Sequence, residues 1–365
     1  MKFHNQFKSL FFPHDGKTEH FSALDGLRGV AVVMVLLSHS SNASIFFHPY
    51  LDFHNVGKIG VYLFFVLSAY LLDRQIAVAL RTGKSSLRYW LNYALRRFLR
   101  IFPLFAIALF VHYGLTYSGI TTVIDSVSEV LLHLALVRGE DVFWSIPVEF
   151  KYYIISPFLM YICHRVLKWN LMAVFALLGF LIVLSMAIRV WVDLSLTSTI
   201  KFFPVFLVGT AISIYELVRN KDLSRKSRSK LLDIAGLVAI CIIFITIPYY
   251  FELLFNKSFN FQTTALSPMY ALLWGMLLIG SKYGFGLLQS IFKLNVLRFL
   301  GTISFSMYLF HMPILILVNE HWLWLPEFSK IYVFFGLTIL VSAFNFIFIE
   351  RPLSKIRINT INSSN

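Results

Sequence analysis

The first apolar segment of the chain, residues 24–42, contains two ionisable side chains, Arg28 and His39. Their spacing of eleven residues is three helical turns plus about 20°, so both lie on one helix face, roughly 17 Å apart along the axis. A neutral histidine can accept a proton near pH 7, which makes His39 a candidate general base. Two alternatives stay open: Arg28 can be a basic membrane anchor, and His39 a buried structural polar group.

A second candidate is the arginine pair in YALRRFLRIFP, residues 93–103. Arg97 and Arg100 are three positions apart and therefore share a helix face, just where an apolar run begins. Paired guanidinium groups bind phosphates bidentately, so the pair is a candidate phosphate site. Arginines are also common at the cytoplasmic ends of membrane helices, and the spacing alone does not separate the two readings.

The stretch FWSIPVEFKYYIISP, residues 143–157, places a carboxylate, Glu149, among aromatic and hydroxyl side chains. Such a carboxylate can orient an imidazole or accept a hydrogen bond from a sugar hydroxyl. Ser145 lies just before it and Tyr153 just after it. Trp144 can stack on a sugar ring or belong to the aromatic belt of a membrane interface.

A second histidine lies in GTISFSMYLFHMPI, residues 301–314. Tyr308 and His311 are three positions apart on one helix face, and Pro313 weakens the backbone hydrogen bonds around them. We expect both side chains to contact a substrate. The alternative is a hydrogen-bonded histidine in the core.

The elements that position these side chains are predicted to be membrane helices. The chain has 365 residues, of which 58% are hydrophobic and only 14% charged, too few charges for the surface of a soluble domain of this size. Its net charge of +14 is concentrated in segments such as residues 74–100, which hold seven basic residues and no acidic one. Basic clusters in alternate loops indicate membrane topology rather than a nucleic-acid surface.

The predicted fold is an all-α polytopic membrane protein with about ten transmembrane helices and both termini on the cytoplasmic side. The apolar runs that predict these helices lie at 27–46, 57–73, 100–118, 147–167, 171–191, 200–218, 231–252, 263–281, 297–318 and 329–349. Residues 1–22 are predicted to be a cytoplasmic segment, 23–352 the membrane domain and 353–365 a cytoplasmic tail. Because residues 1–23 are polar and mixed, we expect the first apolar run to be retained rather than cleaved.

In the order and spacing of its motifs the chain resembles the acyltransferase-3 family of bacterial integral membrane acyltransferases, over about residues 20–355. LDGLRGVAVVMVLLSH resembles the first-helix motif of an arginine, ten residues and a histidine. Further similar motifs are GVYLFFVLSAYLL, RFLR, FWSIPVEFKYYIISP and ISFSMYLFHMP. Two positions depart from the family pattern, Ala69 in place of a glycine and Lys151 in place of a glutamine. We expect no SGNH hydrolase-like domain of the kind that some members carry, so transfer is expected to finish within the membrane domain.

The resemblance implies transfer of an acyl group, most often acetyl, from cytoplasmic acyl-CoA to an extracytoplasmic envelope sugar such as O-antigen or exopolysaccharide. His39 is expected to act as the base, oriented by Glu149, while Arg28, Arg97 and Arg100 hold the donor. Substrate contacts are expected from Trp144, Ser145, Tyr153, Tyr308 and His311. No permanently bound cofactor and no metal are expected, and the acyl-CoA is a donor substrate.

The expected surroundings are the lipid bilayer of the bacterial inner membrane, with no nucleic-acid partner; the oligomeric state is open. The main alternative function is a transporter or flippase of a lipid-linked sugar, in which the same polar residues line a substrate or proton path. A protein without chemistry, such as a sensor or scaffold, is the third possibility.

Overall fold

The computed structural model describes residues 10–12, 22–120, 122–223, 229–259 and 264–358, and within these ranges the chain forms helices and no strand. The first half contains α1 (Ser22–Asn42), α2 (Gly57–Arg81), α3 (Leu87–Tyr117), α4 (Val127–Leu134), a 3₁₀ turn (Asp141–Trp144), α5 (Ser145–Arg165) and α6 (Leu171–Trp191). The second half contains α7 (Thr199–Leu223), α8 (Lys230–Ile245), α9 (Pro248–Phe255), α10 (Ser267–Tyr283), α11 (Leu287–Phe292), α12 (Asn295–Thr302) and α13 (Ser304–Ile316). A π-helical turn (Leu317–His321) leads to α14 (Glu327–Asn345), a second π-helical turn (Phe346–Glu350) and α15 (Arg351–Leu353).

The helices confirm the all-α class and several apolar spans, although not the count of ten. Six described helices are long and apolar enough to cross a membrane, or eight if each of two bent helix pairs is one span. The predicted runs 147–167 and 263–281 coincide with α5 and α10, which are not among them. The number of crossings and the cytoplasmic placement of the termini therefore stay predictions. Most of the proposed N-terminal segment and part of the tail lie outside the described residues.

Helix α1 packs closely on α12 because glycines remove side chains from their contact. A Cβ atom added to Gly301 would lie 1.7 Å from the carbonyl oxygen of Asp25, and one added to Gly29 would lie 2.1 Å from that of Leu297. Small residues at such positions let two backbones approach, as is typical of helix pairs in membranes. The chain then bends by 75° into α13. This contact fixes the helix that carries His39 relative to the helix that carries His311.

A buried carboxylate joins α2, α5 and α7. Asp73 accepts hydrogen bonds from the hydroxyl of Tyr152 at 2.7 Å, from Thr210 at 2.5 Å and from Ser156. A buried acceptor is stable only when donors satisfy it, and here three hydroxyl groups do so. The network holds α5 against α2. Glu149 of α5 and Ser68 of α2, which lie one to two helical turns from the network, are therefore side by side.

We expect Gly301→Ala to destabilise the fold, because the new methyl group would overlap the backbone of α1 and neither backbone can yield as a flexible side chain would. Overpacking of this kind costs about 1–3 kcal/mol. The measurement is the midpoint of thermal unfolding of the purified protein in detergent. Gly336→Ala is the matched control, since a Cβ atom there meets nothing within 4 Å. An equal midpoint for both variants would contradict the packing argument.

Candidate active site

Two cavities meet at the side chain of Tyr308, which lines both. The smaller one, which we term the arginine cavity, has a volume of about 70 Å³. Its polar lining comes from α1, α2, α3, α5 and α13 and consists of Arg28, Ser68, Arg97, Arg100, Ser145, Glu149, Tyr153, Ser304 and Tyr308. Each of the five sequence motifs thus contributes a side chain to one site.

The arginine cavity has an excess of positive charge. Arg28, Arg97 and Arg100 face a single carboxylate in the lining, that of Glu149. Among the described residues neither Arg28 nor Arg100 forms an ion pair within 4 Å, and the two interact repulsively with each other. Like charges that lie close together favour an anion that joins them. The lining is therefore suited to phosphate or carboxylate groups of a ligand.

Arg97 is held in place by two contacts, while part of its guanidinium group stays available to a ligand. Its Nη2 donates to Gln75 Oε1 at 3.0 Å, and its guanidinium carbon lies 5.5 Å from the ring centre of Tyr153. Its Nε is buried and has no hydrogen-bond partner in the part of the chain that the structure describes. A buried N–H group without an acceptor is costly, so a ligand that accepts from it gains affinity.

Glu149 is tied into the wall of the arginine cavity by two hydroxyl donors. Ser68 Oγ donates to Glu149 Oε1 at 2.5 Å, and the hydroxyl of Tyr153 donates to the same oxygen at 2.6 Å. The hydroxyl of Ser145 in turn donates to that of Tyr308 at 3.0 Å, which fixes the side chain between the two cavities. These contacts fix the carboxylate and the Tyr308 hydroxyl in the wall of the arginine cavity.

The larger cavity, which we term the histidine cavity, has a volume of about 680 Å³. Its polar and charged lining consists of Ser38, His39, Asn42, Asn55, Lys58, Asp141, Trp144, Thr264 and Tyr308. The volume is in the range of small-molecule sites and exceeds what a single sugar ring needs. Hydroxyl, amide and charged groups of this kind recognise polar ligands such as carbohydrates.

His39 lies at the junction of α1 with the start of α2. A Cβ atom added to Gly57 would lie 3.5 Å from His39 Nε2, which places this nitrogen close to the first turn of α2. The connection between the helices is tied to the end of α1, where Ser38 Oγ accepts the N–H of Val56 at 3.1 Å and Ser41 Oγ that of Phe53 at 3.0 Å. The histidine is therefore held in a defined position.

The carboxylate that shares the histidine cavity with His39 is Asp141, which none of the candidate sequence motifs identified as a site residue. Its charge interacts attractively with His39. Asp141 has a positive φ of 46°, a conformation that aspartate tolerates better than most residues. Burial raises the pKa of its carboxyl, because the ionised form loses water contacts. A cationic His39 offsets part of that cost.

The structure brings most of the predicted site residues together, although not in the predicted pairing. Glu149 lines the arginine cavity with Ser145, Tyr153 and Tyr308, and no hydrogen bond joins it to His39 among the described residues. Trp144 lines the histidine cavity and packs against Phe202, with ring centres 4.8 Å apart. His311 contacts the ring of His39 at 5.0 Å between centres. The catalytic and binding roles of these residues stay predictions.

No signal in the sequence identifies Lys58 or Asp141, since each is one charged residue at the edge of an apolar run. Ser68 belongs to the second-helix motif, but its contact with Glu149 spans 81 residues.

Regarding metals, the described residues contain no group of three or more histidine, cysteine, aspartate or glutamate side chains that could hold an ion.

Comparison with known proteins gives a family match over most of the chain. The model of the family described as an acyltransferase domain matches residues 21–349. Similar proteins include O-acetyltransferase OatA of Staphylococcus aureus (23% identical), peptidoglycan O-acetyltransferase OatA of Listeria monocytogenes (24%) and the putative peptidoglycan O-acetyltransferase YrhL of Bacillus subtilis (26%). Each alignment covers 92% of this chain but only 56–57% of the relative, so the chain spans somewhat over half their length. No solved structure matches the chain.

Proposed function

The chain belongs to the acyltransferase-3 family of membrane O-acyltransferases, and on this premise we propose that it transfers an acyl group, acetyl in the first instance, from acyl-CoA to a hydroxyl of a cell-envelope carbohydrate. One observation carries the proposal: an arginine-rich cavity and a histidine-lined cavity meet at Tyr308. The first suits the phosphates of a CoA donor, and the second suits a polar acceptor. Two relatives are named for peptidoglycan, which makes it an acceptor to test beside O-antigen and exopolysaccharide.

In the proposed donor site Arg28, Arg97 and Arg100 bind the phosphates of acyl-CoA, and the acyl-pantetheine arm extends towards Tyr308. The arginine cavity has room for only a few water molecules, so we expect donor binding to widen it. Residues 74–100 carry basic side chains without an acid, which favours the cytoplasmic side for this mouth. Acyl-CoA is a substrate here, and the proposal includes no resident cofactor.

In the proposed chemical step an acceptor hydroxyl in the histidine cavity attacks the thioester carbonyl carbon while His39 Nε2 takes the hydroxyl proton. The C–S bond then breaks, the CoA thiolate leaves, and it regains a proton to become the free thiol. A thioester is already activated, so one positioned base and correct orientation suffice for transfer. Asp141 stabilises the imidazolium form of His39 that exists between the two proton transfers.

The deciding experiment compares envelope carbohydrate from a strain that lacks the gene with that from its parent, by mass spectrometry and NMR. We expect ester-linked acyl groups to disappear while the amount and length of the polymer are unchanged. The purified protein in proteoliposomes should also transfer label from radioactive acetyl-CoA to the same polymer. Loss of the polymer itself would contradict acyl transfer and indicate an exporter or flippase.

A further inference from the structure

His311 is a fully buried histidine in α13 for which the proposed reaction has no use. Its Nδ1 lies 2.8 Å from the carbonyl oxygen of Tyr308 and 3.2 Å from that of Met307. A carbonyl oxygen only accepts hydrogen bonds, so Nδ1 must carry the proton. In the neutral ring the other nitrogen, Nε2, is then an acceptor with a free lone pair. The backbone of α13 thus fixes the tautomer of His311.

The lone pair on His311 Nε2 has no donor in the described part of the chain, although the atom is buried. Buried acceptors are usually satisfied, so an unsatisfied one adjacent to a reactive group indicates a partner. The adjacent group is the ring of His39, with centres 5.0 Å apart and planes inclined by 66°. As they stand the two rings form no hydrogen bond, but their separation leaves room for one N–H···N hydrogen bond of ordinary length once the ring of His39 turns towards His311.

The position of His39 decides which of its nitrogens can take part. Its Nε2 lies beside Gly57 at the start of α2, where a Cβ atom would approach it to 3.5 Å. This part of α2, including Gly57 and Lys58, lines the histidine cavity in which the acceptor is proposed to bind. Nε2 is therefore the nitrogen that meets the acceptor hydroxyl, which leaves Nδ1 of His39 for an intramolecular partner.

We propose that His311 is a positioning residue for His39: once the ring of His39 turns towards α13, His311 Nε2 accepts the Nδ1–H of His39 and so keeps His39 Nε2 unprotonated and aimed into the histidine cavity. This inference rests on the proposed function. When His39 takes a proton from the acceptor, the same hydrogen bond becomes charge-assisted and stronger. His311 thus fills the orienting role that a carboxylate fills for many catalytic histidines.

Other titratable and charged groups also face this pair. Asp141 and Lys58 line the histidine cavity with His39, and Asp141 interacts with it electrostatically. On the other side, His112 of α3 interacts electrostatically with His311, and its ring contacts Phe143 at 4.9 Å between centres. Asp141 is the competing candidate for the orienting role, so the test must separate it from His311.

The test compares His311→Met with His311→Gln in proteoliposomes supplied with acetyl-CoA and the acceptor polymer. The two side chains are alike in length, but only glutamine keeps an acceptor near the position of Nε2. We expect His311→Met to lower kcat about 10- to 100-fold, the usual effect of removing a partner that orients a functional histidine, with little change in the KM for acetyl-CoA. His311→Gln should recover a substantial part of the loss.

The dependence of kcat on pH provides a readout that a purely structural role would not change. His311 stabilises the protonated form of His39, so without it His39 is protonated only at lower pH. The acid limb of the profile should therefore move to lower pH in His311→Met and stay near the wild-type position in His311→Gln. His112→Leu, a matched change of a second buried histidine, should leave the limb in place.

Three results would overturn the positioning role. Unchanged kcat in His311→Met is the first, and equal losses in both His311 variants with unchanged pH profiles is the second. The third is a shift of the acid limb in Asp141→Asn together with none in His311→Met. Full activity of His39→Asn would also overturn it, because His39 would then need no positioning, while acyl transfer itself would stand. If instead the wild-type protein transfers no acyl group, the proposed function fails.

Discussion

His39→Asn should reduce acyl transfer by about 10²- to 10⁴-fold, the range over which one positioned general base contributes to rate. Asparagine fills a similar space and keeps hydrogen-bonding capacity, but its amide cannot take up the proton of the attacking hydroxyl. The KM for acetyl-CoA should change little, because the proposed donor site is formed by the arginines that line the other cavity. The measurement is the initial rate of label transfer from acetyl-CoA in proteoliposomes.

His48→Asn is the matched control for this variant. His48 is exposed in the connection between α1 and α2, only nine positions from His39, and lines neither cavity. It should keep wild-type activity, while both variants insert and accumulate normally. A His39→Asn protein with wild-type rates would remove the base from the proposed mechanism and leave positioning of the thioester as its main contribution.

The first helix shows how far residue spacing alone could predict the site. Helix periodicity correctly put Arg28 and His39 on one continuous helix, α1. The two side chains nevertheless line different cavities, with Tyr308 between them. The spacing of two residues along one helix gives their separation along the axis and the angle between their side chains. Which cavity each side chain lines depends on the other helices that pack beside it. Ser68 and Asp141 became recognisable only when α2 and the turn before α5 were placed beside α1.

The bends in the chain were not predictable from hydropathy. The apolar runs 231–252 and 297–318 are continuous in the sequence, but each forms two helices, inclined at 86° and 75°. Mean hydropathy reports whether a segment prefers lipid to water, and it contains no information on direction. Pro248 does mark the first bend, since it begins α9. The second bend follows the close contact of Gly301 with α1, which depends on a distant part of the chain.

The predicted pairing of Glu149 with His39 shows the same limit for long-range contacts. A carboxylate and a histidine in one membrane domain suggest an acid–base pair, yet the sequence does not tell which carboxylate is near. In the structure Ser68 and Tyr153 hold Glu149 among the arginines, and Asp141 is beside His39. Most of the polar residues of the site were therefore predictable from single sequence segments. Which of these residues contact each other depends on how α2, α5 and α13 pack.

Arg97→Gln and Arg100→Gln should each raise the KM for acetyl-CoA about 10- to 100-fold, since a hydrogen bond to a charged group contributes about 1.5–3 kcal/mol. Arg100 forms no ion pair and Arg97 has a buried, unpartnered Nε among the described residues, so both groups are available to phosphates. The kcat at saturating donor should fall less. Arg96→Gln is the matched control, because Arg96 is adjacent in α3 but donates to Asn92 O and does not line the cavity.

A donor without phosphates separates phosphate binding from a general effect of lost charge. S-acetylpantetheine carries the same thioester and arm as acetyl-CoA but no phosphate group, so the arginines have nothing to bind in it. The wild-type protein should prefer acetyl-CoA strongly in kcat/KM, and this preference should collapse in Arg97→Gln and Arg100→Gln, with the rate on S-acetylpantetheine nearly unchanged. If both donors lose activity equally, the arginines support the fold or the membrane topology instead. The geometry favours the first result, because three guanidinium groups and one carboxylate in the lining leave an excess of positive charge that suits an anionic ligand.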